Sequence, residues 1–287
     1  MEAKKKYELT SETIEFNGIT LHRIKALKDF SNVKAGDLGG WIEKENNLSQ
    51  SGDAWIGGDA KVCDNAKAFG NAQIYGNVQI CGKAQVFGNA QICGNAIVFD
   101  DAIIYDNAKV YGNAHICNNA KVFGNAMVYD NAFVYGDAWV YGNAKVFGNA
   151  KVDGNAEVYG NAWVFGKSKV YGNAEVHGNA KVYGNAQVYD NAEVYGKSMV
   201  YGDAQVYGRA RISGDAMVRC GADYIIFKNF WSSGRFFTWT KSNNMWSAGC
   251  FYGTGKELIE KAYKDSETSG KEYERVVRYV DSILADK

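Results

Sequence analysis

One phrase, seen at residues 121–129 as KVFGNAMVY, returns every six residues through the middle of the chain and fixes most of what the chain can become. Counting by six from Ala54 to Ala216 visits 28 positions without an insertion, of which 25 are alanine and the exceptions are Val78, Ser168 and Ser198. Two residues after each, from Ile56 to Val218, 27 of 28 positions are valine or isoleucine, and only Ala68 departs. In an extended chain residues i and i+2 share a face, so the small and the aliphatic side chain point together into a core. The Gly-Asn, Gly-Asp or Asp-Asn that follows tolerates positive φ, which a chain needs to turn a corner so often. Short strands alternating with corners stack as a β-solenoid, each rung pairing its backbone with the rungs above and below.

The pattern Val-x-Gly-Asn-Ala-x, over about residues 52 to 222, resembles the hexapeptide repeat of left-handed parallel β-helix proteins, whose triangular coils each take three hexapeptides. The left hand is what the resemblance implies, since ordinary crossovers favour the opposite one. About nine coils at roughly 4.8 Å per rung make a prism on the order of 45 Å long. The position after the aliphatic residue is mostly tyrosine or phenylalanine. With the flanks LKDFSNVKAGDLGGWIEKENNLS and NNMWSAGCFYGTGKELIEKAY, the chain is similar in particular to uncharacterised phage and prophage hexapeptide-repeat proteins.

The expected fold is therefore mainly β: a left-handed parallel β-helix with a small N-terminal β cap and a C-terminal α+β domain. Residues 1–51 supply a hairpin, with Asn17-Gly18 as a type I′ turn, and a cap for the first rung. Residues 52–222 are the solenoid. Residues 223–287 read as three strands and two helices, with Thr254/Glu257 and Ser269/Glu272 as capping boxes. Tyr273, Val276, Val277, Val280, Ile283 and Leu284 give the last helix one apolar stripe.

A period of 18 sorts the outward residues into columns. Tyr111, Tyr129, Phe147, Phe165, Tyr183 and Tyr201 form one aromatic ladder, Phe69 to Tyr159 a second, and Tyr171, Tyr189 and Tyr207 close a third. Stacked rings stabilise a sheet and cover its corners; contiguous exposed apolar surface also invites a partner. Outward apolar residues cluster midway along the prism: Ile97, Phe99, Ile103, Tyr105, Phe133, Tyr135 and Trp139, with His115 among them. That belt is expected to be an oligomer or partner interface, with a homotrimer implied by the β-helix resemblance; a terminal domain folded over the belt is the alternative.

Lysine plus arginine and aspartate plus glutamate number 32 each, so the basic footprint of a nucleic-acid binder is missing. No run of 18 apolar residues marks a membrane span, and no secretion signal is read, so a cytoplasmic location in a bacterial host is expected. Six cysteines without a CxxC pair or clustered histidines give no zinc spacing, and reduced thiols are expected, with Cys63 and Cys81 stacked on adjacent coils. Neither cofactor nor metal is expected.

Acyltransferases of the β-helix type place a histidine near a subunit cleft, but His115 and His177 here fall inside aromatic columns with no orienting carboxylate apparent. In the C-terminal domain Arg235, Trp239, Lys241, Trp246 and Thr254 are candidate ligand contacts, capping and core packing being the plainer account. The sequence thus favours a non-enzymatic solenoid that binds a host protein or sequesters a small nucleotide-like ligand, possible counter-defence being implied by the phage resemblance. An acyltransferase and a structural virion component are the alternatives.

Overall fold

The computed structural model of the protein describes residues 5–285. Two-residue rungs run from Trp55–Ile56 to Met217–Val218 and pair in parallel at a separation of 18 residues, building a parallel β-solenoid. Three sheets form its sides. Face I carries Lys61, His115 and Phe133; face II carries Lys67, Trp139 and Glu157; face III carries Trp55, Lys145 and Trp163. The chain visits faces I, II and III in turn.

The repeat's small and aliphatic columns are buried along the whole solenoid and fuse into one continuous core. The serines that replace alanine are accommodated by hydrogen bonds: the Ser168 hydroxyl donates to the Phe165 carbonyl at 2.8 Å and Ser198 to Tyr195 at 2.7 Å. Neither leaves a buried polar group unpaired.

Most corners use glycine at positive φ, but Asp106, Asp130 and Asp190 adopt the same conformation at φ 58, 59 and 60°. Each carboxylate accepts the backbone N–H one coil onward: Gly124 at 3.2 Å, Gly148 at 3.1 Å and Gly208 at 3.0 Å. Asparagines beside the corners ladder through their amides, as in Asn71 to Asn89 at 3.0 Å and Asn89 to Asn107 at 3.1 Å.

An open solenoid end would expose core and unpaired backbone. At the N-terminal end β1 (Tyr7–Phe16) and β2 (Ile19–Ala26) form the hairpin, with Asn17 and Gly18 both at positive φ. β3 (Leu38–Ile42) pairs antiparallel with β2, and its Trp41 and Ile42 pair in parallel with Lys61 and Val62. The first coil is thus begun by residues outside the repeat. The buried Lys6 ammonium donates to the carbonyls of Ala54 at 2.8 Å and Gly52 at 3.3 Å, and burial pushes its pKa down to about 8. The Asn47 side chain likewise closes the Ala66 carbonyl at 2.9 Å.

The C-terminal sheet has four antiparallel strands rather than three: Tyr224–Lys228, Phe236–Thr240, Met245–Ala248 and Phe251–Gly253. The stretch read as a single last strand folds into a tight hairpin because Gly249 turns the chain at φ 61°. Two helices follow, α1 (Gly255–Asp265) and α2 (Glu267–Ala285). The Thr254/Glu257 capping box forms. The second does not: Ser269 already lies inside α2, and the Ser266 hydroxyl instead accepts from Ser269 N–H at 3.1 Å. The domain docks on the last coils through Tyr224 Oη to the Gln205 carbonyl at 2.9 Å and Arg211 N–H to Thr238 Oγ1 at 2.9 Å.

Candidate functional site

The aromatic columns stand at the three corners. Between faces II and III, rings from Phe69 through Phe87, Tyr105, Phe123, Tyr141, Tyr159 and His177 to Tyr195 stack with centroids 4.7–5.1 Å apart. Between faces III and I the ladder from Tyr111 to Tyr201 has spacings of 4.8–5.3 Å. Strand spacing imposes this separation, and it matches offset stacking.

The belt residues lie on two faces and two corners. Ile97, His115 and Phe133 succeed one another on face I, with the His115 and Phe133 rings 4.6 Å apart. Ile103 and Trp139 flank Lys121 on face II, where the Lys121 ammonium sits 4.6 Å over the Trp139 ring. Phe99 and Tyr135 belong to the corner joining faces I and II, and Tyr105 to the corner joining faces II and III. Trp139 is 37% exposed, a large fraction for a tryptophan on a regular sheet.

Charge is segregated just beyond the belt. Glu157, Glu175 and Glu193 stack on consecutive rungs of face II, and Lys151 and Lys169 on consecutive rungs of face I. Like charges directly opposite one another in a sheet are unfavourable. On face II part of the cost is offset: Tyr141 donates to Glu157 at 2.8 Å, Tyr159 to Glu175 at 2.8 Å, and Arg211 pairs with Glu193 at 2.9 Å. These partners were not anticipated from sequence; the 16-residue offset between tyrosine and acceptor is the signal that would have shown them.

Both column histidines are members of stacks. His177 lies between Tyr159 and Tyr195 at 4.7 and 5.1 Å. Burial lowers the pKa of both, in His177 against the opposing pull of Glu175 and Glu193. Stacking occupies the ring faces and leaves the nitrogen-bearing edge of each imidazole outward, and at His177 the carboxylates of Glu175 and Glu193 stand near enough to act on its charge.

Of the five C-terminal candidates, Trp239 and Trp246 are buried in the domain core, and Trp239 Nε1 donates to Asn244 at 2.8 Å. Thr254 caps α1 and Lys241 is exposed beside a turn. Arg235 lines a cavity of about 340 Å³ together with Asn229, Cys250, Lys261, Ser269 and Tyr273. The structure therefore does not bring the five together.

Cys63 and Cys81 occupy adjacent coils as the period requires, but they are joined as a disulfide rather than left as stacked thiols. In-register parallel rungs place their Cα atoms 4.9 Å apart, inside the range a disulfide spans. Asp64 lies beside them, and its carboxylate accepts Gly82 N–H at 2.9 Å, so the three potential ligand groups already have partners. Among the described residues no helix is long and apolar enough to cross a membrane.

The family model for the YdcK Beta solenoid repeat matches residues 90–106, 126–142, 186–202 and 204–219. A 60-residue stretch is 38% identical to the protein described as "Uncharacterized acetyltransferase YdcK" of Escherichia coli (strain K12). The match covers 18% of this chain and 18% of that protein. Repeat model and structure together make the chain a β-solenoid repeat protein.

Proposed function

We propose that the chain is a non-catalytic binding scaffold, a rigid solenoid that presents the belt around Phe133 and Trp139 to a macromolecular or nucleotide-like partner in a bacterial host. The observation that supports this reading is the pairing of an unbroken, fully hydrogen-bonded rung array with an outward face that turns apolar midway along it. Surface of that kind is uncommon on a sheet facing only water. The resemblance of the flanks to phage proteins is the ground for a host partner, a counter-defence role being one instance and a virion part another. The test is native mass spectrometry of protein purified gently from bacterial cytosol. Wild type should retain a partner mass that Phe133→Glu/Trp139→Glu releases; equal retention by both would refute the belt's role.

Acyl transfer is the second reading, and the short similarity to a protein described as an acetyltransferase favours it. It requires acetyl-CoA binding and turnover lost in His115→Ala or His177→Ala. The scaffold reading predicts no turnover in wild type.

A further inference from the structure

The asparagine ladder at the corner joining faces I and II ends on a mismatch. Asn155 donates to Asn173 at 2.9 Å and Asn173 to Asn191 at 3.4 Å, each amide nitrogen reaching the side-chain oxygen one coil onward. The next residue in the column is Arg209, on the coil that Asn191 N–H reaches through the Gly208 carbonyl at 2.9 Å. A guanidinium only donates. The Asn191 amide therefore meets a second donor where the two rungs before it offered an acceptor.

Further donors converge on the same place. Where the C-terminal domain docks, a cavity of about 350 Å³ is lined by Asn191, Glu193, Arg209, Arg211, Arg235 and Phe236. Arg211 is already committed: it pairs with Glu193 at 2.9 Å and donates to the Gly249 carbonyl. Asp190 turns the corner beside Arg209, but its carboxylate accepts Gly208 N–H at 3.0 Å. Arg209 and Arg235 have no carboxylate within ion-pair distance among the described residues. Arg209 lies 5.2 Å over the Phe236 ring, a contact that occupies the face of the guanidinium and leaves its N–H edge available. Arg235 reaches the turn whose carbonyl holds Arg211, since a Cβ at Gly249 would stand 3.3 Å from its Nη1. With Glu193 set against Arg211, the cavity carries a positive excess from Arg209 and Arg235, and its free N–H groups lack an acceptor.

We infer that this cavity binds the phosphate group of a small organic phosphate monoester, with Asn191, Arg209 and Arg235 as its donors. A phosphate monoester is close to doubly charged at neutral pH and presents several acceptor oxygens. The guanidinium fork meets such a group through paired N–H bonds. The organic part has a place as well: a second cavity of about 340 Å³ shares Arg235 and Phe236 with the first and is lined further by Ser232, Ser233, Lys261 and Tyr273. Hydroxyl groups and an ammonium there suit a hydroxylated ester. The site stands where the C-terminal domain meets the last coils, away from the belt around Phe133 and Trp139, and is independent of the belt's role.

The test is isothermal titration calorimetry of the full chain with glycerol 3-phosphate, inorganic phosphate and glycerol, with circular dichroism to show that every variant stays folded. Glycerol 3-phosphate should bind more tightly than inorganic phosphate, and glycerol should not bind. Arg209→Glu/Arg235→Glu should weaken the ester by about tenfold or more, and Arg209→Lys/Arg235→Lys by a smaller factor, because lysine keeps the charge and loses the fork. Lys109→Glu/Lys145→Glu makes the same charge change on face III and should leave affinity within about twofold of wild type, the charges there being distant and screened. Bound ester should also slow alkylation of Cys250, which lines the second cavity, and leave Cys93 unaffected. A wild type that binds neither phosphate nor ester overturns the inference, as does equal weakening by the face III variant, which would mean general charge attraction. Equal affinity for phosphate and ester overturns the assignment of an ester and leaves an inorganic anion. Phe133→Glu/Trp139→Glu should not change ester binding, so failure of this site and failure of the belt are read separately.

Discussion

The Tyr141 hydroxyl donates to the Glu157 carboxylate across a corner at 2.8 Å, and one coil later Tyr159 repeats the bond to Glu175 at the same distance. The corner ladder and the acidic ladder of face II are therefore one structure. Burial and the neighbouring carboxylate raise both tyrosine pKa values, so both hydroxyls remain donors at neutral pH. Tyr141→Phe keeps the ring stack and deletes only the bond. It should lower unfolding stability by about 1–2 kcal/mol, since an acceptor carrying charge loses its partner. A double-mutant cycle with Glu157→Gln, read by chemical denaturation, should show coupling; additivity would mean the bond contributes nothing.

Tyr135 gives the alkaline limit. Burial and the 2.6 Å bond to Asp153 push its pKa up to about 12. The folded value exceeds the ordinary one of about 10, so the associated stability is complete below pH 10 and is lost as pH rises through 12. Melting temperature should fall across that window, and less steeply in Tyr135→Phe. An identical slope in the variant would show that other groups control alkaline unfolding.

His115 and His177 set the opposite window. Their lowered pKa values mean that the folded state disfavours imidazolium. Stability on their account is present above the ordinary value of about 6.5 and is lost as pH falls below it. Replacing His177 by tyrosine, the residue above and below it, should flatten the acid side of the melting profile. A steeper profile would show that the charged ring is stabilised by Glu175 and Glu193 instead.

Lys6 closes the first coil by donating to carbonyls that no rung reaches. Lys6→Met keeps the buried stem and strands those oxygens, for an expected loss of about 1–3 kcal/mol. Hydrogen exchange should rise first in the rungs around Trp55 and Lys61, while the middle coils stay protected. Uniform exchange along the solenoid would mean that the end does not open separately.

The solenoid was legible because two buried positions in every six repeat without a slip, and strand period alone then dictates which side chains face inward. The ends were less so. Lys6 and Asn47 act through long-range bonds to carbonyls, and nothing in a basic N-terminal cluster or an Asn-Asn pair announces them. The second helix cap slipped by three residues because Ser266 and Ser269 are both competent caps and only packing selects between them. The Cys63–Cys81 bond was missed although their adjacency was read, since spacing fixes proximity and leaves oxidation state open. The C-terminal candidates scatter for another reason: tryptophan beside a basic residue describes a core edge as well as a binding site, and Trp239 and Trp246 lie in the core.

Corner chemistry offers the sharpest comparison of all. At Gly142, φ is 70° and a Cβ would stand 3.0 Å from the Gly160 nitrogen and 3.1 Å from its oxygen. Gly142→Ala therefore meets both left-handed strain and a backbone contact, and should cost about 1–2 kcal/mol. Asp130 tolerates the same φ because its carboxylate bonds Gly148 N–H on the next coil. Gly142→Asp should accordingly cost less than Gly142→Ala despite the larger side chain, by gaining the equivalent bond to Gly160. Asp130→Ala should behave like Gly142→Ala, and Asp130→Gly should be close to neutral. Urea titrations of the four variants settle the order. If alanine and aspartate at position 142 cost the same, the carboxylate bond contributes nothing, and aspartate at these corners reflects only its intrinsic tolerance of positive φ.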